Sequence, residues 1–343
     1  MTHQIDLIIF DLFGVVFNKG LESSIDSLVA VLNRPEQEIS KVYRRWEKDF
    51  DLGKIGEEEF WEKVNNYLGT FVRSHTLSNI VISAYRPKRD TLQLAQFLKR
   101  KNKIVVYSNY RREWFNRLDN QFNISVEFDQ IHISSDIGFL KPDKNVFDFI
   151  CDQHKVKINN IVLIDDEFEN ISSLVKLGGN GVLFKNIYET EIRLRKHLGS
   201  NMPDYDDDYS GVLLRTKEGG LILQRRDNKP NLVNPGKLSV FGGRRKNGES
   251  PEECALRELR EETNLRLSAT DLKFVREYGA PDDKGIWVHC NYYLVENVEI
   301  NDVELQEGQG MEVWYPNQAL ERKDLTDVPR VLISELVEEW SQA

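Results

Sequence analysis

The stretch GRRKNGESPEECALRELREETNL, residues 243–265, places Glu258, Glu261 and Glu262 at the spacing i, i+3 and i+4. If this stretch is helical, the three carboxylates share one exposed helix face. Like charges at this spacing destabilise an isolated helix by about 0.2–0.5 kcal/mol per pair. A divalent cation over that face would remove the repulsion, and carboxylate oxygens select Mg²⁺ or Mn²⁺ rather than zinc. The pattern therefore predicts a metal-binding helix.

Local signals mark both ends of this helix. Ser250 and Glu253 form a capping box, and Pro251 occupies the first helical position, where its missing N–H costs nothing. We therefore predict that the helix starts at Ser250. It is expected to stop near Asn264, a residue that tolerates the left-handed conformation of a helix C-cap.

Inside the helix, Ala255 and Leu259 form an apolar stripe toward a core, and Arg257 is placed to pair with Glu261 at i+4. The alternative interpretation is a solvated, Glu-rich surface helix, which is the usual explanation of a charge run. A solvated helix requires neither the upstream glycines nor the fixed positions of the other charged residues. The metal-binding interpretation is therefore favoured.

The same residues resemble the Nudix box, G-x5-E-x7-R-E-U-x-E-E-x-G-U with U aliphatic. Its positions are filled by Gly243, Glu249, Arg257, Glu258, Leu259, Glu261, Glu262 and Leu265. Asn264 stands where the box has its last glycine. The resemblance covers roughly residues 208–343. It implies an α/β/α sandwich with a mixed sheet, metal ligation by Glu258, Glu261 and Glu262, and a catalytic role for Glu261.

Nudix enzymes commonly take a further carboxylate, as base or metal ligand, from a loop beyond the box. The segment 304-ELQEGQGMEVW-314 offers Glu304, Glu307 and Glu312, of which we favour Glu307 because it precedes Gly308. An ordinary polar turn explains the segment nearly as well.

Composition limits the class of protein. The chain has 343 residues, a formal net charge of -10 and a pI near 5.3, which suggests two soluble domains and argues against binding a nucleic-acid backbone. The three cysteines, Cys151, Cys254 and Cys290, lie far apart and predict neither disulfides nor a zinc site. The apolar run near the N-terminus is short and interrupted by Asp6 and Asp11, so no signal peptide or membrane span is expected. We expect a cytoplasmic protein.

The acidic segment 201-NMPDYDDDYS-210 separates two different patterns, and we predict domains at 1–197 and 208–343 joined by a linker at 198–207. Before the linker, apolar runs alternate with helix-like stretches, which predicts a parallel sheet. The runs are Ile5–Phe10, Ile104–Tyr107 and Ile161–Ile164, and the helical stretches include Thr91–Arg100, Trp114–Leu118 and Lys144–Gln153. Residues 17–85 look like a helical insertion that serves as a lid.

Each apolar run ends in a polar group: Asp11, Ser108, and the pair Asp165 and Asp166. Because the carboxyl ends of parallel strands converge on one crevice, these groups are expected to meet there. Lys141 lies in the connection between the second and third runs and completes the set. A carboxylate nucleophile, a hydroxyl, a cation and a metal-binding acid pair are what phosphoryl transfer to Asp requires.

Four motifs follow one another along the chain: hhhhD, hhhS-N, K-P-D and hhhhDD, where h is an apolar residue. This order resembles the haloacid dehalogenase superfamily, and the helical insertion resembles its C1 cap type. The resemblance spans roughly residues 1–197. It implies that Asp11 is a nucleophile forming an aspartyl-phosphate and that Ser108 and Lys141 hold the phosphoryl oxygens. It also implies that Asp166, with Asp165 beside it and Asp11 opposite, binds Mg²⁺.

One residue departs from the phosphatase pattern. Phosphatases of this superfamily usually carry a second Asp two residues after the nucleophile as general acid and base, and here that residue is Phe13. Positioned acid–base catalysis is worth about 10²–10⁴ in rate. His3 or the cap could supply a substitute. Alternatively, the fold is kept and the chemistry is lost.

The sequence therefore predicts a bifunctional hydrolase. The Nudix part would cleave the diphosphate of a nucleoside diphosphate linked to another group, and the first domain would act on a phosphomonoester, such as a product of that step. The alternative is a Nudix pyrophosphohydrolase whose first domain only binds a phosphorylated metabolite or dimerises; a homodimer is compatible with either. A third interpretation makes the Nudix part a regulatory ligand-binder, against which the complete set of box glutamates argues.

Overall fold

A computed structural model describes residues 4–230, 232, 234–282 and 284–342. The chain divides into two compact units, Met1–Pro203 and Asp204–Ala343. This division falls inside the segment predicted as a linker, and the predicted domain bounds remain a prediction. None of the helices in the described ranges combines the length and the apolar character needed to cross a lipid bilayer.

The N-terminal unit is built on a five-stranded parallel sheet with the order β3-β2-β1-β4-β5. The strands are β1 (Leu7–Phe10), β2 (Ile104–Ser108), β3 (Gln130–Ile133), β4 (Ile161–Asp165) and β5 (Asn180–Leu183). The three apolar runs of the sequence are the three central strands, so the predicted parallel sheet is confirmed. The two edge strands escaped prediction because edge positions are less buried, and their sequences, QIHI and NGVL, contain no continuous apolar run.

Ten helices accompany this sheet in the described part of the unit. They are α1 (Gly20–Leu32), α2 (Glu36–Asp51), α3 (Glu57–Leu68), α4 (Ser74–Ser83), α5 (Arg89–Lys99), α6 (Arg112–Phe122), α7 (Ser134–Ile137), α8 (Lys144–His154), α9 (Phe168–Lys176) and α10 (Ile187–Leu198). Helices α1–α4 all lie between β1 and α5, which confirms the helical cap. The three helical stretches named from the sequence correspond to α5, α6 and α8.

The C-terminal unit contains a mixed sheet with the order β10-β11-β6-β7-β12, to which β8 and β9 add at β7 and β6. The strands are β6 (Asp207–Thr216), β7 (Leu221–Arg225), β8 (Leu238–Ser239), β9 (Phe241–Arg244), β10 (Lys273–Pro281), β11 (Trp287–Val298) and β12 (Gly310–Trp314). Strands β6 and β11 are parallel, and the other pairs are antiparallel. The predicted mixed sheet is confirmed.

Helices α11 (Pro251–Glu262), α12 (Pro316–Glu321) and α13 (Asp327–Gln342) complete this unit. Tyr293 of β11 belongs to the same buried cluster as Ala255 of α11. Its neighbour Tyr292 points to the other face, where it contacts Tyr278, whose hydroxyl donates a hydrogen bond to Glu335 of α13 at 2.8 Å. Helices α11 and α13 therefore cover opposite faces of the sheet.

The start of α11 is confirmed, and the helix ends at Glu262, near Asn264 as predicted, but the predicted left-handed cap at Asn264 is wrong. Ser250 caps the helix through a complete capping box with Glu253, and Pro251 is the first helical residue. The C-cap is Thr263 in extended conformation, and Asn264 does not have a positive φ. Instead, the Asn264 side chain accepts a hydrogen bond from the Glu304 amide at 2.8 Å, tying the helix end to a distant loop. An Asn that bonds a neighbouring segment has no need of the left-handed conformation.

Candidate active sites

The polar groups at the ends of β1, β2 and β4 meet at one edge of the parallel sheet. Asp11, Ser108 and Lys141 line a cavity of about 410 Å³ in the N-terminal unit. Lys141 is 5 % exposed, and its Nζ donates to Asp11 Oδ1 at 2.8 Å and to Asp165 Oδ2 at 2.6 Å. The lysine therefore bridges the two carboxylates that the sequence places 154 residues apart.

Asn109 positions this lysine. Its side-chain amide donates to the Lys141 carbonyl at 2.9 Å, and its side-chain oxygen accepts from the Lys141 amide at 2.8 Å. The two bonds fix the backbone from which the ammonium group extends. The sequence showed Asn109 as part of the S-N pair, but its role requires the contact between the two loops.

The two acids at the end of β4, Asp165 and Asp166, are held in different ways. Asp165 is fully buried, and its Oδ1 accepts hydrogen bonds from the Glu167 amide at 2.9 Å and the Asn170 side chain at 3.0 Å. Asp166 Oδ2 pairs with Lys19 Nζ at 2.8 Å. The other oxygen, Asp166 Oδ1, is buried and has no hydrogen-bond partner among the described residues.

This cluster suits a divalent cation. One carboxylate oxygen from each of Asp11, Asp165 and Asp166 lies within 4.8 Å of the others. Three hard oxygen donors and a buried oxygen without a partner are what Mg²⁺ or Mn²⁺ would satisfy. The donor set at this site therefore fits the metal that the sequence predicts.

Burial controls the ionisation of the predicted nucleophile. It raises the pKa of Asp11 to about 7; Lys141 partly offsets this, whereas Asp165 adds to it. Burial alone would lower the pKa of Lys141, but Asp11 and Asp165 outweigh it and hold that pKa above its usual value. Lys141 is therefore a permanent cation beside the nucleophile.

The loop after Asp11 is shaped by a glycine and an aromatic cluster. Gly14 has φ +94°, and a Cβ there would lie 2.2 Å from Asp166 Oδ2. The Phe13 ring packs against Tyr110, Tyr85 and Phe17, with centroid distances of 4.2, 4.6 and 5.9 Å. The position of the usual acid is therefore part of an apolar wall of the cavity. His3, considered above as a substitute, lies outside the described residues.

Sequence reasoning missed the contribution of the cap. Helix α2 directs Tyr43, Glu47 and Asp51, at i, i+4 and i+8, into the same cavity. Arg111, which follows β2 and is buried, donates to Asp51 Oδ1 and to the Tyr43 hydroxyl. The helical spacing of these residues is visible in the sequence, but only the fold shows which face of α2 meets the sheet.

In the C-terminal unit, Glu262 is not on an exposed face, and that expectation is wrong. It is 7 % exposed; its Oε2 accepts from the Gly242 amide at 2.8 Å and its Oε1 from Gln224 Nε2 at 3.1 Å. Gly242 has φ +138°, and a Cβ there would lie 2.2 Å from the Ser210 carbonyl oxygen. Only glycine therefore allows the backbone amide to approach the glutamate.

Arg257 organises the other box glutamates. It donates to Glu249 at 2.6 Å, to Glu258 at 2.5 Å and, as predicted, to Glu261 at 3.0 Å. Within the described ranges, no set of three oxygens, one from each helix glutamate, lies with all its members within 4.8 Å of one another. Hydrogen bonds on two sides of the helix, from Arg257 and from Gly242, hold them apart. Glu258 and Glu261 nevertheless face one solvent-filled space with Arg257.

That space is a cavity of about 1050 Å³ lined by both acids and bases. Besides Glu258 and Glu261, it is bordered by the basic loop Arg244–Lys246 and by the acidic segment Asp206–Asp208. Arg244 and Arg245 pair with Asp207 and Asp208, each at 2.7 Å. An anionic ligand that displaces these aspartates would find two arginines already directed at the cavity.

The loop that carries Glu307 adjoins the end of α11. The Gln306 amide donates to the Glu262 carbonyl at 2.8 Å, and Gln224 Nε2 donates to the Glu307 carbonyl at 3.1 Å. The Glu307 side chain is exposed. Of its rivals, Glu304 is also exposed, and Glu312 accepts from Arg225 at 2.6 Å. The choice of Glu307 as a catalytic residue remains a prediction.

Gln224 is a site residue that sequence reasoning missed. It is 2 % exposed and joins the Glu262 carboxylate to the loop of Glu307. The available signal was an amide in an otherwise apolar strand, LILQR. A buried polar side chain in a strand needs partners, but the sequence does not name them.

The burial of Glu262 predicts a pH-dependent stability. Burial raises its pKa from 4.5 to about 7. Between these values the unfolded chain loses the proton and the folded chain keeps it, so stability falls as pH rises, by up to about 3 kcal/mol. We expect Glu262→Gln to remove this fall. Urea unfolding of both proteins in chelator at about pH 5 and about pH 8 measures it.

If the free energy of unfolding fell by the same amount between the two pH values in both proteins, this account of Glu262 would be contradicted. If Glu262 is a ligand, adding Mg²⁺ at the higher pH should restore stability in the wild type and not in the variant, because a ligand that binds only the folded state stabilises it.

Comparison with known proteins finds a different family in each half of the chain. The haloacid dehalogenase-like hydrolase family matches residues 5–178, and the NUDIX domain family matches residues 207–336. The chain therefore belongs to the haloacid dehalogenase-like hydrolases and carries a NUDIX domain after that region. The predicted fusion of these two families is confirmed.

Curated relatives resemble only part of the chain. Bifunctional epoxide hydrolase 2 of Mus musculus is 27 % identical over 121 residues, which is 34 % of this chain and 22 % of that protein. Drimenol cyclase drtB of Aspergillus calidoustus is 32 % identical over 73 residues, 21 % of this chain and 14 % of that protein. The chain thus spans about a fifth or less of the length of these relatives.

Two solved structures are similar to part of the chain. HAD family enzyme bt-2542 from Bacteroides thetaiotaomicron is 18 % identical, with a TM-score of 0.49, covering 53 % of this chain and 95 % of that one. MutT protein from Methanosarcina mazei Go1 is 21 % identical, with a TM-score of 0.35, covering 39 % and 94 %.

Proposed function

We propose that the protein has two hydrolytic activities that work in series. The C-terminal unit cleaves the diphosphate of a nucleoside diphosphate linked to a second group, and the N-terminal unit removes phosphate from a phosphomonoester released by that cleavage. The observation that carries the proposal is that each unit has its own cavity, in which acids and fixed cations meet. A phosphorylated substrate needs both kinds of group.

Mg²⁺ or Mn²⁺ is the proposed cofactor of both sites. Asp11, Asp165 and Asp166 would hold it in the N-terminal unit, and the three box glutamates of α11 would hold it in the C-terminal unit. When bound, such a cation neutralises phosphate oxygens and makes phosphorus more electrophilic. The buried, unpartnered oxygen of Asp166 supports this assignment in the first site.

In the N-terminal site, the carboxylate of Asp11 is the proposed nucleophile. Lys141 Nζ, already 2.8 Å from Asp11, is placed to hold a phosphoryl oxygen and to stabilise the charge that develops on it. Ser108, buried in the same cavity wall, would donate its hydroxyl to another oxygen. Asn109 keeps the lysine in place.

In the C-terminal site, Glu261 is the proposed catalytic carboxylate, with Glu307 as a further one. Glu261 is exposed to the large cavity, so water and substrate can reach it. Arg244 and Arg245 would exchange their aspartate partners for the diphosphate. Arg257 positions Glu258 and Glu261 through the bonds described above.

We propose a cytoplasmic location from the state of the cysteines. The three cysteines are free thiols in the structure, which suits the cytoplasmic location expected from the sequence. Association into a homodimer remains a prediction.

A product-resolved screen tests the proposal. The purified protein with Mg²⁺ is offered nucleotide sugars, dinucleotides, nucleoside triphosphates and phosphomonoesters, and all products are identified. A linked nucleoside diphosphate should give a nucleoside monophosphate and a second phosphomonoester, one of which then loses phosphate. Turnover of none of these substrates would contradict the proposal.

A second candidate function is a binding module in the N-terminal unit. The specific observation that favours it is the aromatic cluster around Phe13, which fills the usual position of the acid. In that case phosphomonoesters bind the 410 Å³ cavity without Asp11-dependent turnover, whereas the first candidate requires that turnover.

The two activities are expected to be independent. A fragment of residues 204–343 contains every proposed diphosphatase residue and one complete compact unit. We expect it to retain the diphosphate hydrolysis rate of the full chain within a few-fold, measured with the best substrate from the screen. A folded, soluble fragment without activity would show that the site needs the N-terminal unit.

A further inference from the structure

The N-terminal site lacks a proton donor where the haloacid dehalogenase pattern has one. An alkyl phosphate releases an alkoxide unless its leaving oxygen is protonated, so a positioned acid is needed for rapid turnover. Phe13 cannot supply it. Any substitute must be a titratable group that reaches the same cavity as Asp11.

Four further carboxylates line this cavity: Glu22, Glu47, Asp51 and Glu167. Burial raises the pKa of Asp51 to about 7, but the carboxylate of Asp51 is held in an ion pair by the buried guanidinium of Arg111. Glu22 and Glu167 are exposed, and Glu167 follows directly on Asp166. Glu47 differs from all three, because it is partly buried in the cavity wall and makes no hydrogen bond or ion pair with another described residue.

We propose that Glu47, carried by α2 of the helical cap, is the general acid and base of the N-terminal site. This inference rests on the proposed phosphomonoesterase function. The cap thereby provides the group that the loop after Asp11 lacks, and the site is complete only when α2 lies over the sheet, as it does in this structure.

The surroundings of Glu47 suit a proton donor. Burial raises the pKa of Glu47, and the nearby guanidiniums of Arg111 and Arg44 only partly oppose this, while Glu167 adds to it. On its own helix Tyr43 and Asp51 flank it, and both contact Arg111. A raised pKa keeps the carboxyl protonated closer to neutral pH, where it can give its proton to a leaving oxygen.

Other titratable groups in the cavity are poorer donors. Lys19 is held as an ammonium by Asp166, which with its hydrogen bond raises the lysine pKa. Burial raises the pKa of the Tyr85 hydroxyl well above its usual value, and it also raises the pKa of the Tyr110 hydroxyl. Neither a stabilised ammonium nor a buried phenol gives up a proton readily near neutral pH.

The reaction balances with these groups alone. An Asp11 oxygen attacks phosphorus, the bond from phosphorus to the leaving oxygen breaks, and the Glu47 proton passes to that oxygen to form the alcohol. The Glu47 carboxylate then takes a proton from water, whose oxygen attacks the phosphorus of the aspartyl-phosphate. The bond from phosphorus to Asp11 breaks, so inorganic phosphate leaves, and Asp11 is an ionised carboxylate and Glu47 a neutral acid again.

The test compares two leaving groups in the full-length protein with Mg²⁺. Ethyl phosphate needs protonation of its leaving oxygen and p-nitrophenyl phosphate needs little. Glu47→Gln should lower kcat for ethyl phosphate by about 10²–10⁴ and for p-nitrophenyl phosphate by less than about tenfold. It should also abolish the fall of ethyl phosphate turnover at high pH. Glu38→Gln, an exposed glutamate on the same helix and outside the cavity lining, should change the turnover of neither substrate.

The remaining outcomes separate the inference from the proposed function. Equal losses on both substrates, or none, in Glu47→Gln would overturn the role of Glu47 while Asp11-dependent turnover stands. Glu47→Asp keeps a carboxyl and should recover part of the ethyl phosphate rate; no recovery above Glu47→Gln in a protein with wild-type thermal stability would likewise overturn it. Absence of Asp11-dependent turnover of p-nitrophenyl phosphate in the wild type would overturn both.

Discussion

Glu262→Gln is expected to lower diphosphate hydrolysis by several orders of magnitude and to leave the fold intact. The substitution removes the negative charge of a proposed metal ligand and keeps the size of the side chain. The glutamine oxygen can still accept from the Gly242 amide, which now donates to Glu262 at 2.8 Å. Steady-state kinetics with the best substrate and Mg²⁺ measure the effect as a loss in kcat/KM.

The buried position of Glu262 makes a structural control necessary. The control is Glu252→Gln, which replaces an exposed glutamate in the first turn of α11 by glutamine. Because this residue is not one of the proposed metal ligands, diphosphate hydrolysis should be nearly unchanged. Thermal unfolding of both variants shows whether the fold is kept. Near-normal turnover of Glu262→Gln would refute the assignment of α11 as the catalytic metal site.

Asp11→Asn should abolish phosphomonoester hydrolysis and leave diphosphate hydrolysis unchanged. An amide cannot act as the nucleophile that forms an aspartyl-phosphate. The fold should tolerate the change because Lys141 keeps its bond to Asp165 at 2.6 Å, so its charge is not left without a partner. Phosphate release from p-nitrophenyl phosphate measures the loss.

The control for this variant is Asp26→Asn, an exposed aspartate on α1. It should retain both activities. Residual phosphatase activity in Asp11→Asn equal to that of the wild type would mean that another group performs the attack, and the N-terminal assignment would fail. Loss of diphosphate hydrolysis in the same variant would contradict the independence of the two sites.

The features predicted correctly from the sequence are those with local physical causes. The capping box of Ser250 and the Arg257 pair with Glu261 depend on contacts within one helix, so their spacing is sufficient. The central strands of the N-terminal sheet are buried on both faces and are continuous apolar runs for that reason. Because these strands are parallel, their carboxyl ends lie at the same edge of the sheet, and the polar residues at those ends meet there.

The two families, the parallel and mixed sheets, and the acids and the lysine of the two candidate sites could therefore be predicted from the sequence. How those residues are held depends on the packing of distant segments. Glu262 is buried because β7 and β9 bring Gln224 and Gly242 to it. Asn264 bonds a loop forty residues away instead of adopting a left-handed cap. Glu47 reaches the cavity of Asp11 because α2 folds over the sheet. Each of these facts depends on contacts between segments that are distant in the sequence. The pattern of residues within one segment does not show which other segment it will contact.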